Sequence, residues 1–127
     1  MDLDTLLAQA DVISLHCPLT AENAELINTD TIGKMKDGVI LLNTARGGLL
    51  NEQDVADALN AGKLQGAAVD VVSKEPIDPR NPLLTARNCI ITPHMAWAPI
   101  ESRQRLLDCT VQSIEGFLAG KPVNTVN

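Results

Sequence analysis

Aromatic residues are almost missing: one Trp, one Phe and no Tyr occur among 127 residues. Any hydrophobic interior therefore has to be assembled from Val, Ile, Leu and Ala. Clusters of positive charge are missing as well, and the net charge is −6. That excludes nucleic acid as a partner, because phosphate backbones need a basic surface, and it speaks equally against anionic membranes. No apolar run approaches a membrane span, and the first residues contain neither a basic region nor an apolar leader. Cysteine is sparse: Cys17, Cys89 and Cys109 are odd in number, widely spaced and free of any C-x-x-C. This usage fits a reducing, cytoplasmic compartment, with no disulfide framework and no metal site; each thiol reads as a small buried hydrophobe.

The residues present suit one soluble domain with a real core, since 45% are hydrophobic and 20% charged. Four apolar runs are too short for helices: Val12–Leu15, Val39–Leu42, Ala67–Val72 and Cys89–Ile91. The second and third are nearly continuous, the pattern of parallel strands covered on both faces. Helical segments alternate with them. A short helix leads into Val12, and a second runs from about Thr29 to Met35. A third is capped by Asn51 and stopped by Gly62, and a long last helix starts at Pro99 and carries Leu107, Val111, Ile114 and Leu118 on one stripe. Alternation of this kind implies right-handed crossovers and an open α/β sheet.

In such sheets ligands bind beyond the carboxyl ends of the strands. Every run ends in polar residues: His16-Cys17-Pro18, then Asn43-Thr44-Ala45-Arg46, then Asp70 followed by Glu75, then Thr92-Pro93-His94. Parallel strands bring these tips to one edge. Arg46 offers a rigid fork of donors matched to a carboxylate, and Gly47 and Gly48 permit close backbone approach to a ligand and positive φ. His94 can give or take a proton near neutral pH, and a carboxylate such as Glu75 beside it favours the imidazolium. Asp70, inside an apolar run, needs a polar partner. A hydrolase built on His94 is excluded, because there is no G-x-S-x-G and Cys17 follows a strand without a helix to activate it.

Taken in order, Asp11–Thr20, Asn43–Gly48, Ala68–Val71 with Glu75-Pro76, and Thr92–His94 resemble the motifs of the D-isomer-specific 2-hydroxyacid dehydrogenases across nearly the whole chain. The resemblance implies a Rossmann-type cofactor domain and hydride transfer between NAD or NADP and a small 2-oxo acid, giving the D-2-hydroxy acid. It implies that Arg46 holds the substrate carboxylate, that His94 is the proton donor in reduction and acceptor in oxidation, and that Glu75 is its charge partner. His16, Cys17, Pro18, Thr44, Ala45 and Asp70 would line the nicotinamide end of the cofactor, together with Arg46 and His94. Ala96-Trp97 looks like the hydroxypyruvate reductase (glycerate dehydrogenase) branch, whose substrates include hydroxypyruvate and glyoxylate. The family's G-x-G-x-x-G turn is not in this sequence. Residues 1–127 are therefore expected to be a single, partial NAD(P)-binding domain: the second half of a doubly wound sheet of about four strands plus a long helix, without the phosphate-binding half and the substrate domain. A homodimer is implied for the full-length enzyme. The rival expectation is a truncated, non-catalytic module that folds or associates without turnover.

Overall fold

The computed structural model describes residues 1–126. They fall into two compact units, Met1–His94 and the segment that begins at Met95.

In the first unit, three helices and four strands alternate: α1 (Leu3–Gln9), β1 (Val12–Leu15), α2 (Thr29–Lys34), β2 (Val39–Asn43), α3 (Glu52–Ala61), β3 (Leu64–Val69) and β4 (Cys89–Ile91). Local chemistry sets the helix ends. Asp2 accepts from the Thr5 N–H at 2.8 Å to start α1. Asn28 and Thr31 form a reciprocal capping box at α2. Asn51 accepts from Asp54 N–H at 3.1 Å at the start of α3, and Gly62 closes that helix in the left-handed region at φ +78°.

All strand pairs are parallel, in the order β1-β2-β3-β4. The third strand is displaced from its expected position: it spans Leu64–Val69, so Asp70, Val71 and Val72 lie beyond its end. Its pairing starts at Leu64 opposite Val39 and breaks register before Gly66 opposite Ile40. The expectation of two covered faces is also corrected. Ile13, Leu15, Val39, Leu41, Ala67 and Val69 are buried with Leu7, Ile32, Val55 and Leu59 of the three helices in one core. The opposite face is open: Val12, Ile40 and Ile90 are 53%, 37% and 66% exposed. Right-handed crossovers between sequentially ordered strands put every helix of this unit on one side. A near-continuous apolar run cannot reveal which face a later element leaves bare.

The second unit is dominated by α4 (Ile100–Leu118). Its helix begins one residue later than expected, with Pro99 as the residue before the first turn. It ends at Leu118; Gly120 follows at φ +68°, and the Lys121 N–H returns to the Gly116 carbonyl at 2.8 Å. The stripe Leu107, Val111, Ile114 and Leu118 is exposed. Cysteine placement differs from expectation at one position: Cys17 and Cys89 are half-buried beside the core, whereas Cys109 is exposed. Burial pushes the Cys89 thiol up from its ordinary value. Among the described residues, no helix is long and apolar enough to cross a membrane, and no three His, Cys, Asp or Glu side chains are grouped to hold a metal.

Candidate active site

Because the strands are parallel, their carboxyl ends share one edge, and four polar segments meet there. The turn after β2 is the most tightly specified. Asn43, at the strand's last position, is fully buried. Its amide nitrogen donates to the Arg46 carbonyl at 2.9 Å, and its oxygen accepts from the Ala45 N–H at 3.0 Å. A buried polar group must find partners, and here both ends do so within its own turn. That turn carries the Arg46 side chain to the surface, where one guanidinium nitrogen rests on the Ala45 carbonyl at 2.7 Å.

Gly47 and Gly48 follow in a short 3-10 turn ending at Leu49. Neither has a positive φ. The reason for glycine at 47 is steric instead. A Cβ there would overlap the Val72 carbonyl group and the Ser73 nitrogen, so the Arg46 turn lies directly against the backbone of the loop after β3. The expected close approach exists, but within the protein.

That loop carries Glu75. Its carboxylate meets His94 Nδ1 at 2.7 Å, and its other oxygen accepts from the Val72 N–H at 3.3 Å. The hydrogen bond from His94, and secondarily that from Val72, holds the Glu75 carboxyl below the ordinary carboxylate value. An ionised carboxylate only accepts, so the Nδ1 that meets Glu75 must carry the proton. His94 itself sits at φ +52°, a conformation that costs a residue with a side chain about 1–2 kcal/mol. It follows a three-residue turn around Pro93, closed by the His94 N–H to the Thr92 carbonyl at 3.0 Å.

Three hollows open on this edge. The one of about 270 Å³ is lined by Leu19, Arg46, Gly47, Val72, Glu75 and His94, so it gathers all three charged groups. A larger hollow of about 670 Å³ shares Val72, Glu75 and His94 and adds Ile77, Leu84 and Ile91, but it lacks Arg46. Chemistry, not volume, makes the smaller one the candidate site, since it alone of the two is lined by Arg46. A third, of about 310 Å³ on the open sheet face, has Leu42, Ala68 and Ile90 as its floor and His16, Thr44 and Asp70 at its rim. His16 Nε2 lies 2.8 Å from the Ser14 hydroxyl there. Asp70 is buried and accepts from the Thr92 hydroxyl, the partner its place in an apolar run demanded. The Pro18 carbonyl accepts from Asn23 Nδ2 at 2.8 Å, and the same amide lies 4.0 Å from Cys17 Sγ, which pins this loop beside the edge.

Residues 1–96 match the family described as D-isomer specific 2-hydroxyacid dehydrogenase, NAD binding domain. The chain belongs to this family. Among its relatives are a hydroxypyruvate reductase of Blautia hydrogenotrophica, 60% identical over 127 residues, and a glycerate dehydrogenase of Methylorubrum extorquens, 48% identical over 128 residues. These alignments cover 100% and 99% of this chain, but 39% and 41% of the relatives. The chain thus spans about two fifths of the length of the curated relatives it matches. A solved acyclic imino acid reductase in complex with NADPH and D-Arg superposes with a TM-score of 0.87 at 31% identity, over 100% of this chain and 40% of that one. The four-stranded parallel sheet followed by a long helix is therefore part of a dehydrogenase NAD-binding domain.

Asn43 and Glu52 went unnoticed as site residues in the sequence. Asn43 had a usable signal, a polar amide closing a strand whose other residues are apolar. Glu52 had none beyond its place at a helix start.

Proposed function

We propose that residues 1–127 form the nicotinamide-end part of the NAD(P)-binding domain of a D-2-hydroxyacid dehydrogenase. Its substrate would be a small 2-oxo acid such as hydroxypyruvate or glyoxylate. The observation that carries this reading is the shared 270 Å³ cleft, in which Arg46 faces the hydrogen-bonded pair His94 and Glu75. A guanidinium fork and an imidazole on one small hollow match a 2-oxo acid, which presents a carboxylate next to a reducible carbonyl.

In reduction, Arg46 would bind the substrate carboxylate and orient the carbonyl carbon. His94, its Nδ1–H held by Glu75, would release the Nε2 proton to the carbonyl oxygen and recover it when the hydroxy acid is oxidised. Glu75 would fix the orientation and tautomer of the ring. Nicotinamide, when bound, supplies the hydride. The third hollow suits such a ring chemically: Leu42, Ala68 and Ile90 line it with apolar surface, while His16, Thr44 and Asp70 offer polar atoms for an amide-bearing heterocycle. Cys17, Pro18 and Ala45 would border the same cofactor end. NAD and NADP both remain within the reading, as does a homodimer of the longer enzyme. The hydroxypyruvate reductase of Blautia hydrogenotrophica, at 60% identity, supports hydroxypyruvate as the first substrate to try.

The test is a graft. Residues 1–127 replace the aligned segment of that relative, and NADH oxidation is followed with hydroxypyruvate and glyoxylate. Turnover that disappears in the His94→Ala graft, with NADH binding retained, is the expected result. A folded graft that binds NADH yet never turns over would favour a non-catalytic module and overturn the reading.

A further inference from the structure

We propose that Glu52 is a positioning residue that locks the Glu75 loop onto the Arg46 turn, so that the charged groups of the cleft move as one unit; this rests on the catalytic reading above. Glu52 opens α3, six residues after Arg46. A carboxylate at that place ordinarily serves its own helix end. Here both oxygens are committed elsewhere. Oε1 accepts from the Ser73 N–H at 2.7 Å, and Oε2 accepts from the Ser73 hydroxyl at 2.7 Å and from Asn81 Nδ2 at 2.8 Å. Asn81 is itself buried, and its oxygen accepts from the Leu83 N–H at 3.0 Å.

Glu52 thus grips both ends of residues 73–81, the segment that carries Glu75. Gly47 completes the joint from the other side, since its backbone lies flush against Val72 and Ser73. From Ser73 the path to the acid–base pair is short: the Val72 N–H donates to Glu75, and Glu75 accepts from His94 Nδ1. Any loosening at Ser73 is transmitted to the carboxylate that selects the tautomer of His94. Charge-assisted bonds are the stronger ones in a protein, and three of them on one side chain are what an otherwise exposed loop needs to stay placed.

Long-range proton–nitrogen spectra of the uniformly ¹⁵N-labelled chain, recorded where His94 is neutral, report its Nδ1–H to Nε2–H ratio directly. The unchanged chain is expected to favour Nδ1–H, and Glu75→Gln sets the value for a lost partner. Glu52→Gln puts an NH₂ where an acceptor is required. It is expected to move the ratio most of the way to the Glu75→Gln value and to speed Ser73 amide exchange about ten- to a hundred-fold, while β2 and β3 amides stay protected. Ser73→Ala removes one of the three bonds without stranding a charge and is expected to shift the ratio in the same direction by less; it decides the matter if Glu52→Gln does not fold. An unchanged ratio in the folded variant overturns the proposal. A shifted ratio together with an inactive graft leaves the linkage standing and removes the catalytic reading alone.

Discussion

Replacing Gly47 by Ala tests whether the Arg46 turn is seated on the loop that carries Glu75. Gly47 is buried, and the added Cβ would overlap the Val72 carbonyl group and the Ser73 nitrogen. These are backbone atoms, so no side chain can rotate away to relieve the overlap. Its φ lies outside the positive range, which makes the penalty one of space rather than of dihedral preference. Overpacking of this kind costs about 1–3 kcal/mol. For a chain of this size about 3–5 °C of Tm accompanies each kcal/mol, so a fall of roughly 3–15 °C is expected. Gly48→Ala is the matched control. Its Cβ would meet Leu19 Cδ2 at 2.9 Å, the far end of an exposed, flexible side chain that can move aside. The expected cost there is under about 0.5 kcal/mol. Both variants are to be compared in urea and thermal unfolding followed by far-ultraviolet circular dichroism, with unchanged m-values as the check on two-state behaviour. Equal shifts for the two glycines, or no shift at Gly47, would refute the argument that the two loops are stacked.

Asn43→Ala removes a fully buried amide that satisfies the Arg46 carbonyl and the Ala45 N–H; a loss on the order of 2–4 kcal/mol in urea unfolding is expected. In the grafted enzyme, Arg46→Lys exchanges a fork for a point charge and is expected to lower kcat/KM for hydroxypyruvate by about ten- to a hundred-fold. His94→Ala is expected to reduce kcat by about 10²–10⁴-fold with NADH binding intact, read by stopped-flow fluorescence. The pH dependence of Glu75 follows from its lowered pKa. A carboxyl depressed in the folded state stabilises it above the ordinary value of 4.5 and loses that contribution only as pH falls through the lowered value. Carbon-detected titration should therefore show the Glu75 midpoint below 4.5 in the unchanged chain and closer to 4.5 in His94→Ala.

The alternation of short apolar runs with capped helices was enough to read the sheet class, the helix ends at Asn51 and Gly62, and the edge where Arg46, Glu75 and His94 meet. Each of these depends on local pattern plus one topological rule, that right-handed crossovers align strand ends. What escaped depends on tertiary contact. The start of β3 at Leu64 rests on pairing with Val39, although the apolar run is densest later. Gly47 looked like a glycine for a ligand and proved to be one for Val72, because sequence shows that space is needed but not what occupies it. Glu52 showed the same limit: a helix-start carboxylate reads the same whether it caps its own helix or, as here, ties down a loop 21 residues away.

The two charged partners of the cleft are held by opposite strategies, and this explains where rigidity is placed. Arg46 is exposed, yet the turn beneath it hangs on Asn43, which has no contact with solvent. Glu75 and His94 are exposed as well; their placement comes from hydrogen bonds that converge on Ser73 and from the Thr92–His94 turn. A side chain that must meet a substrate has to stay wet, so precision has to come from its backbone. The core supplies that precision to Arg46 directly. The Glu75 loop leaves the sheet at Val69 and returns only at Cys89; the core holds it at Val72 and Leu83, but none of residues 73–80 between them is buried. A charged residue at the start of α3, itself anchored by Val55 and Leu59 in the core, carries the rigidity across. On this reasoning, loosening Glu52 should blur the acid–base pair while leaving the Arg46 turn in place, whereas loosening Asn43 should do the reverse.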